Sequence, residues 1–216
     1  MDNKNTNPKQ PESVDFYENY LCEEGSFKSY YYQVKEVLKL NPTSVLVIGQ
    51  GDNIVPNILR SFVKKQIRVD TFDVIEDMNP TYVGDVRQID EIVKDKYDVV
   101  LCCEVLEHLP FNEFVSCLQK ISKVQRKGLV LSLPVFGLSG YIKIWGPKWF
   151  RFTIIIAIRY FFGKKVNCDQ HYWEINDGNG VKLKDVVNAI EQDYAIKSRY
   201  RVKDQPYHMF FVLKTK

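Results

Sequence analysis

Two carboxylates and an imidazole lie close together in one short segment of the sequence. Glu104, Glu107 and His108 have the spacing i, i+3, i+4, which in a helix places all three side chains on one face of a turn. Such a group suits Mg²⁺, Mn²⁺ or Fe²⁺. We predict that His171 joins it as a fourth ligand, because both histidines should lie at the carboxyl edge of one sheet, where ligands bind in open α/β folds. Two other interpretations stay open. His108 and His171 can act as catalytic bases without a metal, or the glutamates can serve a helix terminus structurally.

A second candidate site is the segment VLVIGQGDN, residues 45–53. A buried strand, a Gly-x-Gly turn and a helix start form a nucleotide-binding turn, in which Gly49 and Gly51 let a ligand approach the backbone closely. The dinucleotide fingerprint needs a further glycine at position 54, where this chain has Ile54, and the Walker Gly-Lys-Ser/Thr is absent from the sequence. An ordinary strand-to-helix turn is the alternative.

Hydrophobic periodicity predicts strands that alternate with helices through the first two thirds of the chain. This order is typical of βαβ units and a doubly wound parallel sheet. The predicted strands are residues 44–49, 68–74, 81–83, 97–103 and 128–133, and the predicted helices are 26–40, 52–65 and 110–125.

The last third of the chain differs from the rest. Residues 137–166 are aromatic, basic and apolar, and we find no strand periodicity there. Within them, residues 141–165 have three interpretations: a core or homodimer contact, a cap over the substrate, or a membrane-surface contact. A helix over 181–192 and a hairpin of strands 194–202 and 207–214 follow. His208 alternates with apolar residues on the second hairpin strand, so we interpret it as structural.

Composition sets wider limits. The 216 residues carry a net charge of +3, 45% are hydrophobic and 26% are charged, which is typical of one globular domain and excludes disorder. Five cysteines without a Cys-x-x-Cys pair favour reduced thiols and a cytoplasmic location. We expect residues 1–13 to be a flexible tail and residues 14–216 to be one domain, with 137–180 inserted as a cap after the fifth strand.

Three further features lie at the predicted carboxyl ends of the strands. Asp73 ends the second strand, Gly84-Asp85-Val86 follows the third, and Glu107-His108-Leu109-Pro110 follows the fourth. Together with the glycine turn, they resemble the class I S-adenosylmethionine-dependent methyltransferases that carry an EHLP-type motif after strand four. The resemblance covers residues 44–134. It implies a Rossmann-like sheet of seven strands, mostly parallel, with helices on both faces and an antiparallel C-terminal hairpin.

The resemblance also implies a role for each matching residue in binding S-adenosylmethionine. Gly49 and Gly51 would line the methionine and ribose part, and Asp73 would hold the ribose diol. The remaining implied contacts are Asp85 and the backbone of Val86 at the adenine edge, and the backbone near Cys103 at the methionine end.

Two positions depart from the pattern of that family. Val47 stands where the family usually has an acid, and Asn53 stands where it has a third glycine. Because asparagine tolerates left-handed backbone geometry, we expect the turn to survive. The missing acid keeps open a non-catalytic binding protein with the methyltransferase fold.

The spacing Glu-x-x-Glu-His with a later Asp-x-His-x-aromatic-Glu is similar to that of metal-dependent small-RNA 2′-O-methyltransferases. Ubiquinone-pathway O-methyltransferases carry a similar Glu-x-x-Glu-His. In both families the metal, Mg²⁺ or Mn²⁺, would make the acceptor hydroxyl easier to deprotonate. Our first prediction is O-methylation of a small molecule, sugar or isoprenoid-like acceptor, and RNA is the alternative acceptor. The charge of +3 argues against RNA, and the absence from the sequence of an Asn-Pro-Pro-Tyr motif argues against DNA.

Overall fold

A computed structural model describes residues 24–62, 64–144, 152–158, 171–178, 180–202 and 205–216. The described strands are β1 (Ser44–Ile48), β2 (Arg68–Asp73), β3 (Tyr82–Val83), β4 (Tyr97–Cys103), β5 (Gln125–Pro134), β6 (Leu138–Ile144), β7 (Phe152–Ile158), β8 (Tyr194–Val202) and β9 (Gln205–Thr215). The described helices are α1 (Glu24–Lys39), α2 (Ile54–Arg60), α3 (Ile89–Ile92), α4 (Phe114–Lys123) and α5 (Leu183–Asp193).

Seven of these strands form one sheet with the order β3-β2-β1-β4-β5-β9-β8. The first five are parallel to their neighbours, whereas β9 runs antiparallel to both β5 and β8. The predicted mostly parallel sheet with an antiparallel C-terminal hairpin is therefore confirmed.

Both faces of the sheet are covered because the central strands are apolar on both sides. Along β1, Leu46 and Ile48 belong to the core on the face of α4 and α5, whereas Val45 and Val47 belong to the core on the face of α1 and α2. Since successive side chains alternate across a strand, one short run of apolar residues holds the two layers of helices. Val47, which stands where the methyltransferases that this sequence resembles usually have an acid, is thus a core residue.

Two of the predicted helices differ most from the observed ones, and α3 was not predicted. The helix predicted over 52–65 is α2, which ends at Arg60. The helix predicted over 110–125 is divided into a 3₁₀ turn, Phe111–Glu113, and α4, and β5 already begins at Gln125.

The absence of strand periodicity predicted for residues 137–166 is wrong. Strands β6 and β7 pair antiparallel over their whole length in a separate two-stranded sheet. The sequence Phe152–Ile158 is an unbroken run rich in isoleucine, and β-branched residues favour a strand even without alternation. The predicted tail, residues 1–13, and parts of the predicted cap, residues 145–151 and 159–170, lie outside the described residues.

Cys102, Cys103 and Cys117 are free thiols, as predicted, and Cys22 and Cys168 lie outside the described residues. Every helix in the described ranges is too short or too polar to cross a lipid bilayer.

Candidate active site

The glycine turn lies at the carboxyl end of β1 and has a left-handed backbone at three alternate residues. The φ angles are 75° at Gly49, 54° at Gly51 and 62° at Asn53. A Cβ atom on Gly49 would collide with the side chain of Val105, so this position needs glycine for space as well as for conformation. Asn53 adopts the left-handed geometry expected of it, and the turn survives without the third glycine.

Asp73 fastens this turn to the neighbouring strand. One of its carboxylate oxygens, Oδ2, accepts a hydrogen bond of 2.7 Å from the backbone N–H of Gln50. The other, Oδ1, accepts one of 3.0 Å from the N–H of Ile75. The side chain is buried, and each oxygen retains a second lone pair for a ligand hydroxyl. Asp73 therefore both shapes the glycine turn and presents acceptors beside it.

Asp85 lies after β3 and caps the 3₁₀ turn Val86–Gln88. Its carboxylate accepts hydrogen bonds from the guanidinium of Arg87, with Nη2 to Oδ2 at 2.6 Å and Nε to Oδ1 at 3.0 Å. Burial opposes ionisation of Asp85, but the hydrogen bonds and charge of Arg87 outweigh it and lower the pKa of this carboxyl. The carboxylate predicted to meet the adenine is thus ion-paired, and Val86 beside it is buried.

Cys103 is the last residue of β4. The residue before it, Cys102, pairs with Ile48 at the end of β1. The backbone at Cys103 is therefore beside the glycine turn, as the predicted cofactor contact requires. Burial raises the pKa of the Cys103 thiol well above its ordinary value, so it is a neutral group at this edge.

The segment after β4 is not an α-helix. Glu104 has a left-handed backbone, with φ of 54°, and Leu106–His108 form a single 3₁₀ turn. The helical spacing on which the predicted metal ligands relied is therefore absent. A different backbone path nevertheless buries Glu107 completely, and neither of its carboxylate oxygens has a hydrogen-bond partner among the described residues. Burial, and then the nearby carboxylate of Glu104, raise the pKa of Glu107.

His171 reaches this turn because the segment 171–178 lies against it. The N–H of Tyr172 donates to the carbonyl of Glu107 at 2.9 Å. The indole of Trp173 donates to the carbonyl of Leu109 at 2.9 Å, and this buried side chain packs edge-on against Phe111 and Phe114. Backbone pairing and one large apolar anchor therefore place His171 next to Glu107.

Three of the four predicted metal ligands come together. One potential ligand atom from each of Glu107, His108 and His171 lies within 4.8 Å of the others, and the two imidazole centroids are 4.9 Å apart. The Glu107 carboxyl is fully buried, has no hydrogen-bond partner within the described ranges and lies beside two imidazoles. This donor set fits a divalent cation, since a carboxylate is costly to bury without a compensating charge.

Glu104 is not part of this group of three. Its Oε1 accepts a hydrogen bond of 2.8 Å from the hydroxyl of Ser132, and its Oε2 lies 3.9 Å from Nε2 of His208. His208 is also bonded through Nδ1 to the hydroxyl of Ser29, at 2.8 Å. His208 is buried, and it is closer to the site than its structural interpretation implied.

Two further residues of this region were missed by sequence reasoning. Glu174 is buried and contacts Nδ1 of His171 at 3.0 Å, and the hydroxyl of Tyr207 donates to the same carboxylate oxygen at 2.6 Å. Burial, and then the charge of Glu174, raise the pKa of Tyr207, so its hydroxyl stays a donor. Glu174 lies in the sequence motif already noted around His171. No sequence signal connects Tyr207 to that motif, because only the pairing of β5 with β9 brings it there.

Comparison with known proteins gives the fold of the chain. No protein-family model and no curated protein matches its sequence. Solved structures do match. The magnesium protoporphyrin IX methyltransferase from Synechocystis with bound S-adenosylhomocysteine is 14% identical, with a TM-score of 0.56, over 96% of this chain and 89% of that one. The N-methyltransferase NodS from Bradyrhizobium japonicum is 11% identical, with a TM-score of 0.54, over 86% and 95%.

A small RNA methyltransferase is also similar in structure. It is 13% identical, with a TM-score of 0.59, and covers 88% of this chain but only 25% of its own. At these identities the likeness concerns the fold. The chain has the Rossmann-like fold of class I S-adenosylmethionine-dependent methyltransferases.

Proposed function

We propose that this protein is an S-adenosylmethionine-dependent O-methyltransferase that holds a divalent cation, Mg²⁺ or Mn²⁺, through Glu107, His108 and His171. The observation that carries the proposal is the buried carboxylate of Glu107, unpartnered among the described residues and grouped with two imidazoles. This group lies at the carboxyl edge of the same sheet as the left-handed glycine turn, where ligands bind in open α/β folds.

The residues around the glycine turn would hold the cofactor. Gly49 and Gly51 leave the backbone open to close approach, and Asp73 has lone pairs for the ribose hydroxyls. When bound, S-adenosylmethionine supplies a methyl group on a sulfonium, and the protein has to align the acceptor and remove its proton. Asp85 and Val86 would meet the adenine, and the backbone at Cys103 would meet the methionine end.

The second group of residues would serve the acceptor. A divalent cation held by Glu107, His108 and His171 would lower the pKa of a hydroxyl bound to it. Without a cation, His108 or His171 would accept the hydroxyl proton directly. Residues 137–180 would cap this region. Segment 171–178 supports that role, because it is bonded to the backbone of Glu107.

The acceptor class that we favour is a small molecule, sugar or isoprenoid-like alcohol, in line with the modest net charge of +3. RNA 2′-O-methylation is the second candidate. Its specific support is the ligand set together with the likeness to a small RNA methyltransferase. The free thiols Cys102, Cys103 and Cys117 support a reducing compartment such as the cytoplasm.

Thermal unfolding tests the proposal. S-adenosylhomocysteine at a hundredfold excess over Kd adds about 2.7 kcal/mol, which for this size raises Tm by roughly 5–11 °C. Mn²⁺ should raise Tm further, a chelator should reverse that rise, and Glu107→Gln should abolish it. Glu91→Gln, at an exposed glutamate of α3, is the matched control.

Each contrary outcome has a distinct meaning. If S-adenosylhomocysteine has no effect, the non-catalytic binding protein is favoured. If S-adenosylhomocysteine raises Tm but Mn²⁺ does not raise it further, a histidine base that acts without a metal is favoured. Transfer of labelled methyl groups to a panel of sugars and phenols, compared with a short RNA ending in a free ribose, then separates the two acceptor classes.

A further inference from the structure

Glu174 and Tyr207 form a hydrogen-bonded chain that ends on the ring of His171. Tyr207 Oη donates to Glu174 Oε1 at 2.6 Å, and the same oxygen lies 3.0 Å from His171 Nδ1. These two hydrogen bonds connect β9 to the segment 171–178. The carboxyl group of Glu174 lies between the phenol ring of Tyr207 and the imidazole ring of His171.

Hydrogen-bond chemistry fixes the direction of this chain. Oε1 of Glu174 accepts the hydroxyl proton of Tyr207, and a carboxylate oxygen that also accepts from the imidazole requires the proton of His171 to be on Nδ1. The lone pair of the imidazole is then on Nε2. A hydrogen bond from Nδ1–H to a carboxylate fixes the orientation of an imidazole and leaves Nε2 to bind a metal or accept a proton.

The backbone around Glu174 is itself held in place. Its N–H donates to Oδ2 of Asp177 at 2.9 Å, and the following N–H, of Ile175, donates to the carbonyl of Pro134 at 3.0 Å. Glu174 is 6% exposed, so its carboxylate has little access to water as an alternative partner. These contacts hold the acceptor in position relative to His171.

We propose that Glu174 and Tyr207 are positioning residues that fix His171 in its Nδ1–H tautomer and present Nε2 to the acceptor site. The inference deepens the proposed function and rests on it for its purpose. The tautomer of His171 depends only on the hydrogen bonds within the protein. It can therefore be measured in the absence of metal, cofactor and acceptor.

The primary test is nuclear magnetic resonance of the ring nitrogens of the full chain, uniformly labelled with ¹⁵N, without metal and at pH 8. The sequence contains only three histidines, His108, His171 and His208, so His171→Gln assigns its signals by subtraction. We expect His171 in the Nδ1–H tautomer in the unmodified chain. Glu174→Ala should lose that preference, whereas Glu174→Gln, whose amide oxygen still accepts, should retain it.

The second readout is the affinity for Mn²⁺, measured by titration calorimetry. Loss of an outer-shell partner typically costs 10–100-fold in metal affinity, so Glu174→Ala should weaken Mn²⁺ binding by about that factor. Tyr207→Phe should weaken it less, because Glu174 remains. The matched control is Tyr200→Phe, which removes an equivalent bond, from the Tyr200 hydroxyl to Glu36 Oε1 at 2.8 Å, elsewhere in the chain.

The outcomes separate this inference from the proposed function. If His171 is in the Nε2–H tautomer in the unmodified chain, or if Tyr207→Phe and Tyr200→Phe weaken Mn²⁺ binding equally, the inference is overturned. If the unmodified chain binds no Mn²⁺ but keeps the Nδ1–H tautomer, the metal proposal fails while the positioning of His171 stands. If Glu174→Ala does not fold, the tautomer of His171 in the unmodified chain and the comparison of Tyr207→Phe with Tyr200→Phe still decide the inference.

Discussion

The cofactor side of the candidate site, at β1 to β3, differs from the acceptor side, at β4, β5 and β9, in how its carboxylates are partnered. Asp73 accepts two backbone hydrogen bonds, and Asp85 is paired with Arg87. On the acceptor side, both oxygens of Glu107 are buried without a hydrogen-bond partner in the described residues. The carboxylates at β1 to β3 are thus satisfied by protein groups, whereas burial and the neighbouring carboxylate of Glu104 raise the pKa of Glu107.

This difference indicates where the sequence serves folding and where it serves function. The bonds of Asp73 fasten the glycine turn to β2, so that carboxylate stabilises the fold even without a cofactor. Glu107 does the opposite, because a carboxyl that is buried without a hydrogen-bond partner in the described part of the chain destabilises the folded protein. Sites that bind ligands are where such local conflicts are expected.

Replacing Asp73 by alanine removes the acceptors that we propose for the ribose, together with the acceptor for the Gln50 N–H. Hydrogen bonds to a charged group contribute about 1.5–3 kcal/mol each. Loss of two such bonds to a ligand corresponds to a weakening of at least about 100-fold. We expect calorimetry to detect no binding of S-adenosylhomocysteine, while circular dichroism shows a folded chain. Asp95→Ala, at an exposed ion pair with Arg68, is the control, and unchanged affinity in Asp73→Ala would refute the ribose assignment.

Replacing Glu107 by methionine should stabilise the metal-free protein. Methionine has a similar length but carries no oxygen or nitrogen in its side chain. The substitution therefore removes a buried carboxyl whose oxygens have no hydrogen-bond partner among the residues that the structure describes, and the gain is about 1–3 kcal/mol. The same change should abolish the response to Mn²⁺. Denaturation by urea in the presence of a chelator measures the free energy of unfolding.

Glu104→Met is the matched comparison, since Glu104 accepts a hydrogen bond from Ser132. We expect this variant to lose stability where Glu107→Met gains it. Equal losses in both would mean that Glu107 is partnered after all, and the contrast between the two sides would disappear.

The fold was predictable because its signals are local. Apolar runs such as Ser44–Ile48 and Tyr97–Cys103 report buried strands, and the parallel arrangement brings their carboxyl ends to one edge. That rule alone brought His108 and His171 together in the prediction, and the structure agrees.

The details of the site were not predictable, because they depend on contacts between distant parts of the chain. The segment after β4 reads as helical, but Glu104 turns left-handed and its N–H bonds to the carbonyl of Ser132 in β5. Tyr207 meets Glu174 only through the strand pairing that carries β9 past the end of β5. Periodicity within a segment contains no information about such contacts.

Asp98 lies near the end of β4 opposite the candidate site. Asp98→Asn therefore tests whether a partnered carboxylate far from the site affects the stability of the fold without affecting cofactor binding. Its Oδ2 accepts hydrogen bonds from the N–H and hydroxyl of Thr43 and from Lys127. Burial opposes ionisation of Asp98, but these partners outweigh it and lower its pKa to about 2. A depressed carboxyl pKa stabilises the fold above the unfolded pKa, and that contribution is lost as the pH falls from about 4 towards 2.

We therefore expect Asp98→Asn to destabilise the protein by about 1–2 kcal/mol at pH 7 and by much less near pH 2. Urea denaturation at the two pH values measures this difference. Affinity for S-adenosylhomocysteine at pH 7 should not change. A change in that affinity would show that the two ends of the sheet are coupled, and that the cofactor side is not an independent unit.

The smallest expected effect concerns Arg87, and it distinguishes the two carboxylates of the cofactor side from each other. The partners of Asp73 are backbone groups that cannot leave, whereas Asp85 is paired with a side chain that is 30% exposed. If Asp85 accepts a hydrogen bond from the adenine, the guanidinium competes for the same oxygens. Arg87→Met removes the competitor and keeps much of the apolar stem. We expect S-adenosylhomocysteine to bind about fivefold more tightly, equivalent to about 1 kcal/mol, and Asp85→Asn to reverse the gain. Weaker binding in Arg87→Met would show instead that the ion pair shapes the adenine site, so that Asp85 acts on the cofactor only through Arg87 and its turn.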